Sequence, residues 1–154
     1  WAREAAPRSD LALPWGRAVY WDRHDMKTVE WIDLLSVPFV PNGDDPFVGL
    51  DCWGIACEIA RRAGLVFPRL SGQTMESVAE FNARFRSIGA RWSCIGKVGD
   101  LMLSDPEHLG YASHVKTVVD VERELVLTTG VRTGPYSWPA HRARCELGVW
   151  RFVA

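Results

Sequence analysis

The sequence contains no C-x-x-C pair. Cys52, Cys57, Cys94 and Cys145 stand apart, so the close thiolate pairs of structural zinc sites are missing, and no metal site is expected. An even count would permit two disulfides, but the spacing demands none. No apolar run approaches the roughly 20 residues that cross a bilayer, and no membrane insertion is expected. Neither sign of charge is in excess: 18 Lys and Arg against 19 Asp and Glu leave a formal charge of -1. A nucleic-acid binder normally carries a clustered positive surface, so nucleic acid is not an expected partner. There is no internal repeat and no low-complexity segment. No signal-peptide pattern opens the chain, and a start at Trp1 is what a piece or a processed form would show.

What is present suits one globular domain. The 154 residues are 47% hydrophobic and 24% charged, enough to bury a core without a disulfide scaffold. Eight Trp is a high count, shared between packing and the binding surfaces where Trp is enriched. Residues 1–24 are rich in Arg, Pro and Trp without clean periodicity. They read as an arm that docks on a partner, ahead of a domain over 25–154.

Met26, Val29, Ile32 and Leu35 fall on one broad helical face and predict an amphipathic helix over 25–35, stopped by Pro38 and Pro41. The stretch P-N-G-D-D-P at 41–46 is a loop. A second helix is predicted from Cys52 to Ala63, with Ile55, Ala56, Ile59, Ala60 and Ala63 on one apolar face. Asp51 is its expected N-cap. Arg61 and Arg62 followed by Gly64 suit its end. A third helix is predicted over 74–86. Strands are predicted at 101–103, 115–121, 125–129 and 149–152, with a hairpin turn over 120–124. Helices first and strands after predict an α+β fold with a mainly antiparallel sheet.

The stretch G-L-D-C-W-G-I-A at 49–56 places Cys52 at a helix start. Unpaired backbone N–H groups there favour a thiolate, lower the thiol pKa, and can form part of an oxyanion hole. The bland alternative is a buried structural cysteine. A cysteine nucleophile needs a base to take its proton and pass it to the leaving amine. His114, at the head of H-V-K-T-V-V-D, is that candidate, with a satisfied core histidine as its alternative. His24, His108 and His141 read as surface residues.

D-C-W-G before a helix, K-V-G-D-L-M-L at 97–103 and S-H-V-K-T-V-V at 113–119 together resemble the NlpC-type (NlpC/p-sixty) cysteine peptidases. The loop V-P-F-V-P-N-G-D-D-P adds to the likeness, which runs over about 26–152. Trp after the cysteine, in place of the commoner Ser, resembles the branch found in phage tails and gene transfer agents. The resemblance implies a papain-like fold, the helix of Cys52 packed on the antiparallel sheet of His114. It implies hydrolysis of an amide bond in peptidoglycan stem peptides, most commonly between D-glutamate and a diamino acid, with no cofactor. It also implies a place in the tail of a virion or tail-like particle, beside other tail-tip or baseplate proteins, with action in the target cell's periplasm or wall. Two alternatives stand beside it: a structural tail component of weak or no activity, and a secreted antibacterial effector.

The chain departs from the family's pattern twice. The residue that orients the base is usually His, Asn or Gln; here that position falls near Thr128, with His141 as a weaker alternative. Phe39 stands where the family often has Tyr, keeping a ring but losing a hydroxyl. Phe39 and Trp53 are candidate substrate-lining residues, with packing as the alternative for each. Asp51 and Asp100 match family positions and read as structural.

Overall fold

The computed structural model describes residues 26–67, 83, 86, 87, 89–92, 94–110 and 112–152. The arm expected over 1–24 lies outside them, as does most of the helix expected over 74–86. One α-helix, α1 (Cys52–Arg62), packs on a six-stranded antiparallel sheet. The sheet holds β3 (Gly89–Trp92), β4 (Leu101–Ser104), β5 (His114–Asp120), β6 (Leu125–Gly130), β7 (Gly134–Pro139) and β8 (Val149–Phe152). Their spatial order is β3-β8-β4-β5-β6-β7. A two-stranded ladder, β1 (Asp44–Asp45) and β2 (Gly49–Leu50), precedes α1. The α+β class and the four expected strands are present.

Alternation along the strands divides the core. One face meets α1: Ile55 and Ile59 pack with Val119 and Leu127, and Trp53 and Ala56 pack with Leu101, Leu103 and Val115. The other face carries Met102, Val118, Val126, Ala140 and Val149. Successive residues of a strand point to opposite faces, so a core on both sides of the sheet accounts for the nearly continuous burial of β5, polar Lys116, Thr117 and Asp120 included.

The helix expected over 25–35 is not formed. Residues 27–29 are extended: Val29 donates its N–H to the Val119 carbonyl at 3.1 Å, and Lys27 accepts from Val121 at 2.7 Å. They attach beside a bulge between Val118 and Asp120. Only a short 3-10 turn, Ile32–Ser36, follows, and Ile32 is 72% exposed. Hydrogen bonding to the sheet therefore outweighs the helical spacing. Arg62 ties that turn to α1, pairing with Asp33 at 2.6 Å and Glu58 at 2.7 Å.

The G-D-L segment is a structural turn, as expected. Gly99 adopts φ +87°, which glycine tolerates at no steric cost. Asp100, 1% exposed, accepts from the N–H groups of Gly96 and Lys97 and from two nitrogens of Arg151, all within 2.9 Å. A buried carboxylate so fully bonded is stable where an unpaired one would not be, and it locks β4 to β8.

Candidate active site

Asp51 caps α1 by accepting from the Gly54 N–H at 2.6 Å. This fixes Cys52 as the first helical residue. The Gly43 carbonyl accepts from the Asp51 N–H at 3.1 Å, and a Cβ on Gly54 would collide with that same carbonyl. The D-C-W-G spacing is thus partly a packing requirement: the loop before the helix lies across its first turn.

The remaining site residues come from a fork in the sheet. Pairing of β5 with β6 ends at Thr117 and Leu127. Beyond that point backbone groups turn to side chains. The Val115 carbonyl accepts from the Thr128 hydroxyl at 2.6 Å, and the Val115 amide faces the Cys52 sulfur. The thiol therefore lies against the residue that follows His114.

His114 opens β5, and its Nε2 lies 3.2 Å from Thr128 Oγ1. A hydroxyl has one proton, and Thr128 donates it to Val115. Toward the imidazole Thr128 can only accept, so Nε2 carries the ring proton and Nδ1 holds the lone pair. The order Thr128–Nε2–Nδ1 matches the demand on a base: one nitrogen oriented, the other available. Thr128 is fully buried.

The electrostatics differ from the sequence expectation. Burial pushes the Cys52 thiol up; the amides of Val115, Trp53 and Cys52 itself oppose that rise, while the charge of Asp51 adds to it. The helix-end field is present, but desolvation outweighs it. Burial pulls His114 down to about 4, and the charge of Lys116 adds to the fall. At neutral pH the resting pair is a thiol and an uncharged imidazole.

This predicts a pH effect on stability. His114 near 4 when folded and about 6.5 when unfolded means the unfolded chain binds more protons between those values. The stability is present in full above pH 6.5 and is lost as pH falls to 4, by about 3 kcal/mol. Urea unfolding of the native chain and of His114→Gln at pH 7 and pH 4.5 measures it. An equal loss in both chains would remove His114 as the cause.

Trp53 is 7% exposed and stacks on Phe67 with ring centroids 6.1 Å apart, so packing against the sheet describes its surroundings. Phe39 is half-buried and bridges to Leu50 just before α1. His108 and His141 are exposed, as expected, and His24 lies outside the described residues. None of the four cysteines is in a disulfide.

Two neighbours were not singled out from the sequence. Lys116 is 7% exposed and donates to Ser104 Oγ and the Arg144 carbonyl, each at 3.0 Å. Tyr136 pairs with Thr128 across β6 and β7, and burial, then the charge of Cys52, raises its pKa. The signal for Lys116 was present: residues i and i+2 of a strand share a face, so H-x-K places the ammonium beside the base.

No protein-family model matches the chain, and no curated protein does. Among solved structures it is similar to a protein from Staphylococcus aureus subsp. aureus Mu50 described as similar to lipoprotein, NLP/P60 family. Identity is 18% and the TM-score 0.53; the match covers 80% of this chain and 39% of that one, well under half of its length. At that identity the likeness is one of fold, and the chain has an α+β fold of the NLP/P60 kind, its cysteine-bearing helix packed on an antiparallel sheet.

Proposed function

We propose that this chain is a thiol-dependent peptidase cleaving an amide bond in peptidoglycan stem peptides. The observation that carries this is the fork: the Cys52 sulfur against the Val115 amide, with His114 Nε2 held by Thr128. Nδ1 would take the thiol proton as sulfur attacks the amide carbonyl carbon. The tetrahedral intermediate would collapse to a thioester as Nδ1 returns the proton to the leaving amine. Water, deprotonated by the same nitrogen, would then release the acid and restore the thiol. The chemistry needs no cofactor. We place the activity at the tail tip of a phage or tail-like particle, a reading supported by the D-C-W-G form of the nucleophile segment.

A second reading, a structural tail component of low activity, is favoured by the electrostatics. The thiol is raised, the imidazole is lowered, and Thr128 carries no charge to stabilise an imidazolium. Purified peptidoglycan incubated with the chain and analysed by mass spectrometry separates the two. The peptidase reading expects new stem fragments ending in a free carboxylate, matched by new free amines. Unchanged peptidoglycan would leave the structural reading.

A further inference from the structure

We propose that the Phe47–Val48 tip of one copy of this chain docks in the cleft beside His114 of a second copy, joining the two head to tail. The contact is independent of the peptidase reading above.

The tip is a fixed feature. β1 and β2 pair Asp44 with Leu50 and Asp45 with Gly49. The turn between them is closed from within: Asp45 accepts the Phe47 N–H on its carboxylate at 2.8 Å and the Val48 N–H on its carbonyl at 3.0 Å. A Cβ on Gly49 would collide with the side chain of Val40, so the ladder sits tightly on the segment before it. The two residues held this way face solvent, Phe47 at 96% exposure and Val48 at 64%. An aromatic ring on a fixed turn loses little conformational freedom on binding, which suits an anchor. Asp44 and Asp45, both exposed, make the surroundings of the ring acidic.

The cleft complements the tip in both respects. Pro106, Tyr136, Trp138 and Ala143 give it an aromatic and apolar lining. Its volume of about 320 Å³ is that of a small ligand pocket, room for a side chain and not for a folded domain. Lys116, Arg142 and Arg144 border it against the one carboxylate of Glu146, which attracts Lys116. The rim is therefore net positive, opposite in sign to the tip.

Two copies are needed because the tip and the cleft lie on opposite faces of the sheet. The β1–β2 ladder rests on α1: the Gly43 carbonyl accepts from the Asp51 N–H and lies over Gly54. His114 and Lys116 share a face of β5 with Val118, which belongs to the cluster away from α1. Trp138 lies opposite Val126 of that same cluster. A contact between two different patches can repeat from copy to copy, into a ring or a filament. A Phe ring covers only about 150–250 Å², against the roughly 800 Å² per partner of a stable complex, so the association is weak and concentration-dependent.

Sedimentation velocity of the full chain over roughly 10 μM to 1 mM measures it, the range that a contact of this size populates. The mass is expected to rise above the 17.3 kDa monomer as concentration increases, and to fall back in high salt, which screens exposed charges. Phe47→Ser removes the tip, and Arg142→Glu with Arg144→Glu reverses the rim. These positions are exposed, so the fold should remain. Each variant alone is expected to associate at least about tenfold more weakly. Mixed, the Phe47→Ser chain supplies an intact cleft and the double variant an intact tip, so a one-to-one complex should form and grow no further. A native chain that stays monomeric throughout overturns the proposal, as does undiminished association of either variant. A mixture that forms no complex overturns it too, because a contact of tip on tip is not restored by mixing.

Discussion

Cys52→Ala is expected to lower fragment release from purified peptidoglycan by at least about 10⁴-fold, because removal of a covalent nucleophile leaves only binding and the oxyanion donors. The fold should remain. Alanine is the best helix former, and the cap from Asp51 to Gly54 does not involve the sulfur. Residual release at the native rate would show that Cys52 is not the nucleophile. Iodoacetamide adds a second measurement. Burial raises the thiol, so alkylation of the free protein should be slow at pH 7 and accelerate above pH 9, following the thiolate fraction. Fast alkylation at pH 6 would mean that an ion pair, rather than the neutral pair described above, is the resting state.

Thr128→Val is expected to reduce kcat about 10²-fold with little change in KM. The substitution keeps the shape and removes the hydroxyl. His114 Nε2 then loses its acceptor, and neither the tautomer nor the ring angle is held. The effect should fall below that of losing a charged orienter, because a hydroxyl orients the imidazolium without neutralising it. Stability should also drop by about 1–3 kcal/mol, since the buried Val115 carbonyl loses its 2.6 Å donor. Thr128→Ser retains the hydroxyl and should recover most of kcat. A Thr128→Val chain with native kcat and lowered stability would make this residue a scaffold for the fork and nothing more.

Much of the fold was legible because its signals are local. The apolar face of α1, its Asp51 cap and the strand runs are each written within a dozen residues. The failures share a different origin. Met26, Val29, Ile32 and Leu35 repeat like a helix, yet Val29 is claimed by Val119, 90 positions away. β7 reads G-P-Y-S-W-P and looks like loop because of its prolines. It survives as a strand because it lies at the sheet edge, where a missing N–H costs little.

The sequence by itself determined that Cys52 begins a capped helix, that His114 begins a strand, and that Thr128 occupies the strand after it. These follow from spacing and short-range hydrogen bonding. Only the tertiary structure decided what the three do to one another. The parting of β5 from β6 makes Thr128 donate to Val115 and accept from His114, and this sets the imidazole tautomer. Burial decides that the thiol rises despite the helix end and that the imidazole of His114 falls, with the charge of Lys116 adding to that fall. Desolvation depends on every element packed around a group, and no stretch of the sequence contains that information.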